Sequence, residues 1–121
     1  MASSVVWIDL PAIDLDRAIK FYSGIFGQPL DQMNGGGMRL GFLPMKEHPD
    51  VGGCIFETEE ITRSNSGVLV YLNCEGRLDE AEAAVVPGGG SVLEPKHAIG
   101  PHGFRTVILD SEGNRVALHS H

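Results

Sequence analysis

The order of secondary-structure signals runs twice along this chain, and that repetition limits the possible folds more than any single motif. Val5 to Leu10 is a short β-branched and aromatic run ahead of Pro11 and reads as a strand. In DLDRAIKFYSGIFG, Leu15, Ala18, Ile19, Tyr22 and Phe26 recur at i, i+3, i+4, i+7 and i+11, one face of a helix. Asp14 is placed to cap its start, Asp16 suits the positive end of its dipole, and Gly27 with Pro29 behind it predicts the stop. Three strand-like pieces follow, near Pro29 to Met33, Met38 to Leu43 and Gly53 to Glu57, separated by the turn formers NGGG and PMKEHPDVGG. The order then returns. Val68 to Cys74 reads as a strand, Leu78 to Val86 as a helix with Leu78, Ala81 and Val85 inward, and Pro87 to Gly90 as its break. Strands are predicted near Ser91 to Glu94, Phe104 to Leu109 and Arg115 to His119, the last two joined by the turn DSEGN. The helices start roughly 64 residues apart, about half the chain, and the halves share element order with little identity.

A β-α-β-β-β unit leaves one sheet face uncovered by its single helix. Two units side by side, about residues 1–60 and 66–121, predict one α+β domain whose curled, partly open sheet surrounds a concave cavity. A length of 121 residues suits one core rather than two. With 42% hydrophobic and 21% charged residues the composition is globular, and a net charge of −7 with scattered Lys and Arg disfavours nucleic acid. No apolar run reaches the roughly 20 residues that a membrane helix needs, and MASSVVWIDLP lacks the features of a secretion signal, so a cytoplasmic location is expected. Cys54 and Cys74 have no C-x-x-C spacing and are expected to be reduced, buried small hydrophobes.

Two stretches carry a resemblance. IDLDRAIKFYSGIFGQPL resembles the first-helix signature of the vicinal oxygen chelate superfamily, which includes glyoxalase I, bleomycin-resistance proteins and extradiol dioxygenases. GPHGFRTVILDSEGNRVALHS resembles that superfamily's closing hairpin, with Asp-x-x-Gly-Asn ahead of a short apolar strand. WIDLPA and ALHS look closest to the single-domain glyoxalase-like subgroup related to lactoylglutathione lyase. The resemblance spans essentially the whole chain and implies paired βαβββ modules. The scaffold hosts isomerases, ring-cleaving dioxygenases, epoxide-opening transferases and drug-binding proteins, so function has to come from the site.

In metal-dependent members, His, Glu or Gln ligands come from the first, fourth, fifth and eighth strands, and the ion stabilises an enolate or oxyanion. Carried over, those positions fall on Trp7, on Phe56 or Cys54, near Leu69, and on Ala117. Tryptophan, leucine and alanine offer no donor to a hard cation, so no metal or other cofactor is expected, although Glu57 adjoins Phe56.

Other residues are candidates from parity and composition. His119 and His121 share the parity of Ala117 and could share an ion, but His121 ends the chain, where fraying is expected, and His119 can equally be a strand-end residue at a cavity mouth. His97 and His102 lie in EPKHAIGPHGF, read as a loop, where either could act as acid or base or stand solvated. Leu69, Tyr71 and Asn73 alternate on one face and Trp7 takes the equivalent face of the first strand; together they predict either an aromatic pocket or ordinary core. LDEAEAA, EHPD and ETEE read as solvated faces, and NGGGMRL and PGGGS as turns without a phosphate-cradling pattern.

The expected function is therefore binding of a small apolar or aromatic molecule without the usual metal, at Trp7, Phe56, Leu69, Tyr71, Asn73, His102, Ala117 and His119. The alternative is an enzyme: a lyase, isomerase or dioxygenase with a divalent metal at a displaced site near His119 and Glu57, or a metal-free acid-base catalyst using His102. A third class is a subunit without small-molecule function. The resemblance also implies a C2 homodimer.

Overall fold

The computed structural model describes residues 5, 7–35, 38–45, 52–58 and 68–121. The first half contains strand β1 (Trp7–Ala12), helix α1 (Leu15–Phe26) and strands β2 (Gln32–Gly35), β3 (Met38–Phe42) and β4 (Gly52–Glu57). The second contains β5 (Val70–Asn73), α2 (Leu78–Val85), β6 (Ser91–Ala98), a 3-10 turn at Gly100–His102, β7 (Phe104–Leu109) and β8 (Arg115–Ser120). The sheets have the orders β1-β4-β3-β2 and β5-β8-β7-β6. In each, the first strand runs parallel to the last and the other pairs are antiparallel. The repeat of element order is thus a repeat of topology, and the two sheets do not close into a barrel.

Element boundaries differ from the sequence expectation where edge position or strand pairing outweighs local propensity. β1 runs through Pro11 to Ala12 because it is the edge of its sheet, where a missing N–H costs no ladder bond. β2 starts at Gln32 rather than Pro29. β6 continues through Pro95 to Ala98 with register shifts near Glu94 and His97, so His97 lies on a strand and not in a loop. His102 sits in the 3-10 turn.

Helix α1 is the hub of the core. Asp14 caps it as expected, its carboxylate accepting from the Arg17 amide at 3.0 Å, and Gly27 ends it at φ 70. Its buried arc is wider than one stripe: Phe21 and Ile25 are buried along with Leu15, Ala18, Ile19 and Tyr22, while Phe26 is only partly covered. The extra width comes from the second module, since α1 packs against α2 as well as β3 and β4. Phe21 also lies over Gly90, where a Cβ would fall 2.7 Å from its ring and 2.5 Å from the Leu109 carbonyl. Each fully buried side chain of this size contributes about 1.5–3 kcal/mol.

Both ends of α1 are held by residues of the second half. At the N-terminus, Glu112 of the DSEGN turn accepts from the Ile13 and Asp14 amides at 2.9 and 3.0 Å and from both Nε and Nη2 of Arg17. Glu57 of β4 accepts from the Leu15 amide. At the C-terminus, where α1 has no basic residue of its own, the Arg77 guanidinium donates to the Ile25 and Gly24 carbonyls. An anion at the start and a cation at the end both complement the helix dipole. Beside Glu112, the buried Asp110 accepts from the Tyr22 hydroxyl at 2.6 Å, the Glu112 and Asn114 amides and the Asn114 side chain. The Asn114 side chain donates on to the Pro11 carbonyl. Burial first, and the Asp110 carboxylate second, push the Tyr22 phenol well above its usual range, so it stays a donor.

Burial alone would raise the Glu112 carboxyl, but Arg17, the Asp14 amide and the Ser111 hydroxyl outweigh it and hold the group at about 2, against an ordinary 4.5. A folded value below the unfolded one gives stability that is complete above about 4.5 and disappears as pH falls towards 2. Glu112→Ala should cost about 3 kcal/mol in urea unfolding at pH 7, because several hydrogen bonds to one charged group are lost together. Glu112→Gln should lose part of that and also flatten the stability curve between pH 4.5 and 2, measured by denaturant midpoints across that range.

Candidate functional site

The face of each sheet turned away from its helix carries the candidate residues, and the two faces differ in chemistry. On the first sheet, Trp7 and Asp9 of β1, Leu40 of β3, and Cys54 and Phe56 of β4 share that face by strand alternation. They surround a cavity of about 490 Å³, completed by Arg39 and Glu57 at one end. Asp9 organises its floor. One oxygen accepts from the Trp7 indole N–H at 2.9 Å and from the Cys54 thiol at 3.2 Å. Burial, then Asp9, pushes the Cys54 thiol up, so it is a neutral donor and not a nucleophile. Arg39 is engaged by Asp16 at 2.7 Å and Glu57 at 3.3 Å. The other side of Trp7 meets Phe42 edge-on at a centroid separation of 6.4 Å and opens on a second hollow of about 540 Å³ with Leu30, Leu43 and Met45.

On the second sheet the same face is polar. Arg105 donates from Nε to His97 Nε2 at 3.0 Å and from Nη1 to the Tyr71 hydroxyl. Its Nη2 lies 3.8 Å from Glu94, which is 4.0 Å from Arg115. An arginine cannot accept, so His97 Nε2 and the Tyr71 oxygen are acceptors here. His97 then carries its proton on Nδ1, which faces the Pro95 carbonyl at 2.9 Å, a tautomer assigned from this network.

The sequence candidates divide between these faces. Trp7 and Phe56 line the first cavity. Tyr71 and Asn73 border a smaller hollow of about 300 Å³ at the seam between the modules, beside Ile8, Leu43 and Gly53. The Asn73 carboxamide accepts from the Glu75 amide in a local turn. Leu69 is half-buried just ahead of β5, and Ala117 is fully buried between Tyr71 and Val107 in the ladder. His119 is half-buried, with Nε2 2.7 Å from the His102 carbonyl and its ring edge-on to Tyr71. His102 itself is exposed. At His121, Glu75 receives the backbone amide at 3.0 Å and Nδ1 at 2.8 Å. Those two bonds from His121 and the Ser120 hydroxyl hold the Glu75 carboxyl at about 2. The two histidine rings meet edge-on at a centroid separation of 5.0 Å, while their ring nitrogens engage different partners. Both cysteines are free and buried, and burial raises Cys74 to about 11.

A divalent ion does not fit these residues. The superfamily's ligand positions hold an indole, a thiol already committed to Asp9, a phenyl ring, an isobutyl group and a buried methyl group. Among the described residues no group of three His, Cys, Asp or Glu side chains is arranged to hold a metal ion. Asp9, Glu94, Arg105 and Arg115 were missed in the sequence, although Asp9 shares the parity of Trp7 and Arg115 that of Ala117.

No family model matches the chain. A "Glyoxylase-like domain-containing protein" of Didymella fabae is 34% identical over 118 residues, 92% of this chain and 88% of that protein. CFP32 of Mycobacterium bovis, named as a candidate glyoxylase, is 30% identical over 93% of this chain, which spans only 43% of that longer protein. Among solved structures, a glyoxalase/bleomycin resistance protein from Albidiferax ferrireducens has a TM-score of 0.77 at 16% identity, over 98% of this chain and 99% of that one. The fosfomycin resistance protein FosX from Mesorhizobium loti has a TM-score of 0.67 at 15% identity, over 100% and 94%. These last two likenesses speak to fold alone. With its fold repeated in these structures and its sequence matched along nearly all of the Didymella protein, the chain belongs to the glyoxalase-like family of the vicinal oxygen chelate superfamily.

Proposed function

We propose that the protein binds a small, flat, largely apolar molecule in the cavity of the first module and does so without the divalent ion used by metal-dependent relatives. The observation that carries this reading is the composition of that cavity. Trp7, Leu40, Cys54 and Phe56 line a space of about 490 Å³, the size of a small-ligand site, where relatives place metal ligands. Aromatic walls contribute large contact areas at low conformational cost. A cytoplasmic setting fits two unpaired cysteines, and a C2 pairing of two chains would give two such cavities.

A second reading, a metal-free lyase or isomerase of glyoxalase type, is favoured by the Tyr71–Arg105 contact. Because Tyr71 accepts from the guanidinium, its own proton is free to be donated to a ligand oxygen in the hollow at the module seam. Conversion of a glutathione hemithioacetal by chelator-treated protein, lost in Tyr71→Phe, would favour this reading over simple binding.

Trp7 is the only tryptophan, so its emission reports on the cavity. Titration with naphthylethanol should quench that emission saturably, and Phe56→Ala should weaken binding about tenfold, through lost apolar contact. A flat titration up to millimolar ligand would exclude the binding reading. Dialysis against a chelator should leave the affinity within about twofold, whereas loss of binding that is restored by nickel, zinc, iron or manganese would overturn the metal-free part.

A further inference from the structure

Asp9 is an exposed carboxylate set among the apolar side chains Trp7, Leu40, Cys54 and Phe56 of the cavity. It shares the inward face with Trp7, Cys54 and Phe56, and it is the one carboxylate on that floor without a cation. Glu57, at the cavity's end, is bonded to Arg39 and to the Leu15 amide. Arg39, the cavity's own cation, is shared between Glu57 and Asp16. Among the described residues no Lys, Arg or His forms an ion pair with Asp9. Its two donors, the Trp7 indole and the Cys54 thiol, are both neutral and both meet the same oxygen, Oδ1. They fix the carboxylate's orientation without neutralising it.

A carboxylate held beside aromatic rings is a recognition site for a cation. The charge attracts an ammonium, amidinium or similar group, while the rings of Trp7 and Phe56 line the same cavity and give an apolar body a surface to lie against. The chain's net charge of −7 adds a field of the same sign. From this juxtaposition we infer that the cavity selects organic cations: molecules with a flat apolar body bearing a protonated amine or quaternary ammonium, whose charge meets Asp9 while the body lies against Trp7, Leu40 and Phe56. The inference rests on the cavity being a ligand site, and it adds the charge that the ligand carries. Trp7 then has two roles, wall and positioning group, because its N–H holds the carboxylate in place.

The test compares three ligands on one scaffold by calorimetry: naphthylethylammonium, naphthylethanol and naphthylacetate. The cation should bind about tenfold tighter than the alcohol and the anion more weakly than either. The preference should shrink as salt is raised from 20 to 500 mM, concentrations that take the screening length from roughly 20 Å to about 4 Å. Asp9→Asn should reduce the cation to within about twofold of the alcohol, whereas a variant that keeps the full cation preference would overturn the charge assignment. If the alcohol binds and the cation binds no better, the charge assignment is wrong while the cavity remains a ligand site. If none of the three binds, the cavity reading fails and the inference with it. Should Asp9→Asn fail to fold, the salt series on the unaltered protein decides the charge assignment by itself: a cation preference that does not change with salt overturns it.

Discussion

The carboxylate of Glu112 is the joint on which the two halves of this molecule turn. It lies in the tight turn between the last two strands, yet its acceptor capacity is spent on the start of the first helix, on two backbone amides and on Arg17. Asp110 beside it binds Tyr22 from the same helix and ties the turn's own amides together. Through these contacts the closing hairpin sets the position of α1, its Asn114 ties it to Pro11 of β1, and β1 carries Trp7 and Asp9 to the cavity floor. A charge that would be costly to bury alone is tolerated because its lone pairs are occupied.

The duplication has diverged in an informative way. Both sheets have the same strand order, but the face away from the helix carries Trp7, Leu40, Cys54 and Phe56 around Asp9 in one, and a chain of side chains from His97 through Arg105 to Tyr71 in the other. In metal-dependent relatives both faces contribute ligands to one ion. Here each face has chemistry of its own, and the cavity and the polar chain are separate features.

The fold was legible because its signals are local. The period of α1, its Asp14 cap and its Gly27 stop come from backbone geometry that a short stretch of sequence dictates, and DSEGN specifies a tight turn by itself. Strand limits were less so: β6 extends past Pro95 because pairing with β7 outweighs local composition. The inward faces were half legible. The family resemblance placed Trp7 and Phe56 together, and alternation could have added Asp9, two residues from Trp7. What no local pattern reveals is which residue of a distant segment a charged side chain meets. Arg77 reads as an ordinary surface arginine until it is found at the end of α1, and Glu112 reads as a turn residue until it is found at the start.

That long reach also bears on how the molecule acquires its structure. The second-half groups closing the two ends of α1 lie 52 to 99 positions further along the chain. As the polypeptide leaves the ribosome, the first helix emerges with its own Asp14 cap and Gly27 stop but without Arg77 and Glu112 at its ends. It becomes a finished element only when the final hairpin arrives. Folding of this kind has high contact order: it is slow, it is a single event rather than one module followed by another, and an isolated first half would be a poor folder.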